Sequence, residues 1–196
     1  SLVVAGVRQP MAVHLIVAAI NEKLGNIGKT VELVEAPAAI SAGIVELAES
    51  LNKGEVDTLV IAGANPVYNA PADLNWAATQ RKAKAIVRLG YYEDETGAAS
   101  DWHFPLAHYL ESWGDAVTSD GTLVPIQPLL APLFGGLTEL EFLARLGGLA
   151  ETDPHKIVRE TFAAVTGKSA EANWQMFLHD GFAPGTAAKK VSGRFD

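Results

Sequence analysis

Asp57-Thr58-Leu59-Val60-Ile61-Ala62-Gly63-Ala64-Asn65-Pro66 decides the fold class of this chain. The run from Asp57 to Ala62 reads as the clearest strand of the chain, aliphatic and β-branched after its opening Asp57 and too short for a helix. That is the composition of a strand covered on both faces. Gly63-Ala64-Asn65-Pro66 ends it abruptly, because proline disfavours helical geometry at Asn65 and forces a turn before any new helix.

The same alternation recurs on either side. Leu2-Val3-Val4-Ala5 reads as a buried strand, followed by Gly6-Val7-Arg8-Gln9-Pro10 and a helix over residues 11–24 that stops at Gly25. A second short strand is expected over residues 31–34. Residues 40–51 carry Ile44, Leu47, Ala48 and Leu51 at helical spacing. A further helix is expected near Pro71-Ala72-Asp73, a fourth strand at Ala85-Ile86-Val87-Arg88-Leu89 and a short fifth at Trp102-His103-Phe104. Strands alternating with helices predict an α/β fold, a three-layer α/β/α sandwich with a mainly parallel, Rossmann-like sheet and right-handed crossovers.

Beyond about residue 105 the character changes. Prolines at 105, 125, 128 and 132, with Gly114 and Gly121, describe an irregular Pro-rich excursion with extended pairing around residues 123–126. Helices are then expected over residues 138–146, 154–165 and 170–179, before a polar, frayed tail from 187 to 196. The domain reading is therefore an α/β domain over residues 1–132 and a C-terminal helical extension over 133–196. A chain that opens on Ser1 and runs straight into an apolar segment is expected to be a piece of a larger subunit.

Composition narrows the chemistry. The 196 residues include 23 acidic and 15 basic side chains, a net charge of −8, with 48% hydrophobic and 19% charged residues. Such a chain is not disordered, and it holds no Lys/Arg cluster dense enough to track a phosphate backbone. It has no cysteine, so no disulfide, cysteine-ligated cluster or cysteine nucleophile is available. The longest aliphatic run, residues 15–20, is far shorter than the roughly 20 residues of a membrane span.

In an open parallel sheet, ligands bind beyond the carboxyl ends of the strands. Three loops are expected to converge there, residues 6–10, 63–66 and 90–97. Gly6 and Gly63 permit close backbone approach, Arg8 and Gln9 could supply a cation and an amide, and Asn65 and Pro66 shape the second loop. Glu95 and Thr96 add polar groups from the third. Together these suit a phosphate-bearing ligand, although turns of any βα fold need similar residues.

Other motifs carry less. Gly25-Asn26-Ile27-Gly28-Lys29-Thr30 ends like a phosphate-binding loop, but the first glycine of that pattern would fall at Lys23 and the segment follows a helix. It reads as a helix cap. His108 and Glu111 share a face if residues 108–111 are helical, and His103 could join them on a metal, but no second set completes a site. Buried, hydrogen-bonded histidines are the simpler reading. Ser100, Asp101 and His103 lie too close in sequence for a hydrolase triad. His14 shares a helix stripe with Met11, Leu15 and Ala18, as a core histidine would.

The ordered series resembles the molybdopterin oxidoreductases. Its members are Val4-Ala5-Gly6-Val7-Arg8-Gln9-Pro10, Ile20-Asn21 with Leu24-Gly25-Asn26-Ile27-Gly28, and Gly63-Ala64-Asn65-Pro66. Asp94-Glu95-Thr96-Gly97-Ala98-Ala99-Ser100-Asp101, Pro105, Tyr109-Leu110-Glu111, Gly114-Asp115, Asp120-Gly121-Thr122 and Gln127-Pro128 follow. In that family such a series marks the second Rossmann-like domain, whose loops hold one guanine arm of the molybdopterin guanine dinucleotide. Trp102-His103-Phe104-Pro105 departs from the family's apolar segment. With His108-Tyr109-Leu110-Glu111-Ser112-Trp113-Gly114-Asp115 it is most similar to one branch, the large iron–sulfur subunit of bacterial alternative complex III.

The resemblance implies an excised domain of a subunit in a membrane-associated, quinol-oxidising electron-transfer complex, bacterial and on the periplasmic face. In that branch the domain is structural and holds no molybdenum cofactor, and the iron–sulfur clusters belong to another part of the parent. No catalytic residue, metal or cofactor is then expected in this fragment. Gly6, Arg8, Gln9, Gly63, Asn65, Pro66, Glu95 and Thr96 would be the vestige of a nucleotide site. Its partners would be other domains or subunits of the complex, with neither nucleic acid nor a direct membrane span. Two alternatives stay open: a guanine-arm-binding domain of a true molybdenum oxidoreductase, and a stand-alone α/β nucleotide-binding or interaction module.

Overall fold

The computed structural model describes residues 1–35 and 42–192. Its centre is a three-stranded parallel sheet in the order β1 (Thr58–Ala62), β2 (Ala85–Gly90), β3 (Trp102–Pro105). The register aligns Leu59 with Ile86 and Ile61 with Arg88, and Arg88 in turn with His103. Because side chains alternate across a strand, these residues share one face. Helices α2 (Ile44–Asn52) and α4 (Trp76–Gln80) cover that face, burying Ala48, Leu51, Leu59, Ile61, Trp76, Ala83 and Ile86 in a single core. The fold is an α/β sandwich, as the strand–helix alternation requires.

The other face presents Val60, Val87 and Trp102 in one row across the three strands, and Leu89 with Phe104 in the next. Phe104 meets Phe142 of α6 (Glu139–Leu146) at 5.9 Å. Among the described residues the first row is only partly covered: Val60 is exposed, Val87 is half-buried, and Trp102 keeps 64% of its surface. Among the described residues, the outer edge of β1 has no backbone partner.

A second core lies beyond the sheet. A hairpin of β4 (Gly114–Val117) and β5 (Leu123–Ile126) packs on α7 (Pro154–Thr166) and α8 (Glu171–Asp180). Leu123, Val158, Phe162, Trp174, Phe177 and Ala183 are buried together, with Trp113 packed beside them. Asp153 caps α7 by accepting from the amides of His155 and Lys156. The two cores are joined where Ala107 N–H donates to Leu137 and Leu137 N–H donates to Pro105.

Several expectations are corrected. Leu2-Val3-Val4-Ala5 is not a strand, and Leu2 and Val4 are exposed. The backbone of Val3 is instead held by a side chain of α1 (Met11–Lys23): Asn21 Nδ2 donates to the Val3 carbonyl at 2.7 Å and Asn21 Oδ1 accepts from its N–H at 3.1 Å. An amide that satisfies both groups replaces a strand partner. Residues 31–34 form no strand of the sheet; Val31 bridges Ile27, and Val34 bridges Lys190. Near Pro71 the chain makes a single 3₁₀ turn, Ala72–Leu74, before the five-residue α4. The beginning of the expected 40–51 helix lies outside the described residues. His14 is only half-buried, and Met11 and Leu15 of its stripe face solvent. The tail is not frayed up to Ser192: Ala188 N–H donates to Asp120, and Lys190 pairs with Glu32 at 2.6 Å.

Candidate functional site

The carboxyl edge of the sheet is where the loops after β1 and β2 meet. Gly63 adopts φ +71°, a left-handed conformation that glycine reaches without strain, and this redirects the chain after β1. A Cβ on Gly63 would also stand 3.2 Å from Glu139 Oε1. Pro66 then opens α3 (Pro66–Asn69), at a position where a missing N–H costs nothing. After β2, Asp94 caps α5 (Glu95–Ala98) by accepting from Gly97 N–H at 2.9 Å.

These loops are stitched to each other. Asn65 Nδ2 donates to Glu95 Oε2 at 2.8 Å, Thr96 Oγ1 donates to Asn65 Oδ1 at 2.6 Å, and Val67 N–H donates to Thr96 Oγ1 at 3.1 Å. Thr96 is fully buried, whereas Glu95 is exposed. The Asn65 amide holds the Glu95 carboxyl below the ordinary carboxylate range. The structure thus brings together Gly63, Asn65, Pro66, Glu95 and Thr96.

Gly6, Arg8 and Gln9 do not join them. Their loop follows no strand. It is an exposed turn closed by Gln9 N–H donating to Gly6, and no described hydrogen bond links it to the sheet edge. The three-loop convergence expected at this edge is therefore a two-loop network.

Beneath the network lies an ion pair that the sequence reading passed over. Arg88, 2% exposed, donates from Nη2 to Asp94 Oδ2 at 2.7 Å and from Nη1 to the Leu89 carbonyl at 2.8 Å. Burial pushes the Asp94 carboxyl up, but Arg88 and the Gly97 amide together hold it below its ordinary value. Gly90 makes room for the guanidinium, since a Cβ there would stand 2.7 Å from it. His103 Nδ1 is buried with no partner among the described residues and rests against Gly97. An arginine inside an apolar strand is the sequence signal for such a buried pair.

The remaining candidates have local structural roles. His108 Nδ1 accepts from Leu110 N–H and Glu111 Oε2 accepts from His108 N–H, forming a reciprocal cap on the 3₁₀ turn Tyr109–Glu111. Ser100 Oγ donates to the Thr96 carbonyl. Asp101 pairs with Arg81 and accepts from Ile86 N–H, fixing the start of β2. Gly25 caps α1, as read from the sequence. Among the described residues no group of acidic or histidine side chains is placed to hold a metal. No helix there is long and apolar enough to cross a membrane.

Fold and site together define an α/β domain built on a three-stranded parallel sheet, with a closed polar network at the carboxyl edge of that sheet. No family model matches the chain, and a comparison with curated proteins returns no match.

Proposed function

We propose that this chain is a docking domain of a molybdopterin-type oxidoreductase subunit, structural in role, within a membrane-associated quinol-oxidising complex of the alternative complex III kind. The observation that carries the reading is bare apolar surface in two places. Val60, Val87 and Trp102 lie in a row on a sheet face that the described residues cover only in part, and Leu129, Leu133 and Phe134 of the Pro-rich excursion are exposed, Phe134 to 88%. Contiguous exposed apolar surface is a common mark of a protein-interaction site. The resemblance of the ordered motifs supplies the kind of complex.

The network at the sheet edge supports the absence of a nucleotide role. The Asn65 amide donates to Glu95 and accepts from Thr96, and the exposed Glu95 carboxylate beside it repels a phosphate. Half of a two-domain cleft also offers too little buried contact to offset the cost of immobilising a ligand.

Two measurements test the proposal. Trp102→Asp and Phe134→Asp in the parent complex should reduce co-purification of the neighbouring subunits while the isolated variant chain stays folded. Unchanged assembly would overturn the docking role. Metal and pterin determination on the purified chain should find neither, and calorimetric titration with GDP should give no heat. Micromolar GDP binding that is lost in Asn65→Ala would instead support a guanine-arm site.

A further inference from the structure

A cavity of about 260 Å³ opens beside the sheet edge, between the residues that follow β2 and β3, the start of β4 and the first turn of α6. Three aromatic side chains line it, Tyr91, Tyr109 and Trp113, and two carboxylates, Asp115 and Glu139. None of its lining residues is basic. Asp115 is half-buried and makes no ion pair or side-chain hydrogen bond among the described residues. Aromatic faces carry negative potential and attract cations, most strongly where water is excluded. A wall that is both aromatic and anionic rejects the phosphates and carboxylates that the sheet edge would otherwise attract.

We propose that this cavity is a binding site for a small organic ammonium ion, with Tyr91, Tyr109 and Trp113 in its wall and the Asp115 and Glu139 carboxylates supplying the opposite charge. The volume falls just under the range of about 300–1,000 Å³ in which drug-sized ligands sit, which suits a single alkylammonium headgroup. Burial pushes the Asp115 carboxyl above its ordinary value, with no neighbouring cation to bring it down. Burial first, then the Glu139 carboxylate, raises the Tyr91 hydroxyl above its ordinary value. The positive end of α6 faces the same wall but already carries Glu139 and Glu141 in its first turn. The site is independent of the docking proposal, since none of its residues belongs to the apolar row or to the 129–134 segment.

The test compares choline with 3,3-dimethylbutan-1-ol, its uncharged isostere, by calorimetric titration into the full chain. Choline should bind, and the neutral isostere should bind at least about tenfold more weakly, the size expected of a cation–aromatic contact with a paired charge. Asp115→Asn should weaken choline by a similar factor. Tyr109→Leu should do the same without altering the melting temperature, because Tyr109 is 60% exposed and supports no core. Equal binding of the two probes, no heat at millimolar choline, or choline binding unchanged in both folded variants would overturn the site.

Discussion

Arg88 shows how one side chain sets the terms for its neighbours. A guanidinium 2% exposed is tolerable because Asp94 pairs with it and the Leu89 carbonyl accepts a second hydrogen bond from it. Removing one partner is therefore worse than removing both. Asp94→Ala should cost about 3–5 kcal/mol, the usual penalty for stranding a buried charge, whereas the double variant Arg88→Met/Asp94→Ala should recover most of it. Urea denaturation of the two variants makes the comparison. The pH dependence follows from the sign of the shift. The Asp94 carboxyl titrates lower in the folded chain than in the unfolded one. Its stabilisation is thus complete above the unfolded carboxylate range and is lost as pH falls through the folded value. Asp115 runs the other way. Its raised carboxyl destabilises the fold as pH rises through the carboxylate range, so Asp115→Asn should raise the melting temperature at neutral pH and lose that advantage in acid.

At the scale of elements, legibility depended on whether a segment's partner could be inferred from its own composition. The strands read at residues 57–62 and 85–89 match Thr58–Ala62 and Ala85–Gly90 to within a residue, because short, largely apolar and β-branched runs bounded by turns have few other solutions. Leu2-Val3-Val4-Ala5 has the same composition but another fate. The backbone of its Val3 is held by Asn21, eighteen residues further on in α1, and hydrophobic periodicity carries no information about a side-chain amide. Asn21 is itself anchored, donating to Val17 and accepting from Asn26 at 2.8 Å. Asn21→Ala should release residues 2–5, seen as faster amide exchange at Val3, while exchange in β1 and β2 is unchanged. Retained protection at Val3 would show that some other contact holds the segment. The site was legible to a similar degree. Asn65, Glu95 and Thr96 were singled out as loop-end polar groups at the sheet edge and do meet there. Arg8 and Gln9 were placed by assuming a strand ahead of them that does not form.

At the scale of the molecule, the two hydrophobic cores are separate assemblies joined through the Pro105–Leu137 backbone contacts and the Phe104–Phe142 pair. The first 35 residues stand apart from both. Their described ties to the rest run through the tail: Glu35 N–H donates to Lys189, Val191 N–H donates to Leu33, and Lys190 pairs with Glu32. Truncation after Thr186 should leave both cores folded, with near-ultraviolet dichroism of the Trp113–Trp174 cluster intact, and free the N-terminal segment. Loss of the aromatic signal would mean that the tail supports the second core as well.

The Glu32–Lys190 pair also dictates an order of events. Its members are 158 residues apart, and the entropy lost on closing a loop grows with its length. Contacts so distant in sequence are reached only after closer ones have shortened the effective chain. The helices and hairpin of the second core, and the three strands of the sheet, should therefore consolidate first. The clasp between the N-terminal segment and the tail is then the last native contact made and, being an exposed pair worth little by itself, the first to open on the way back.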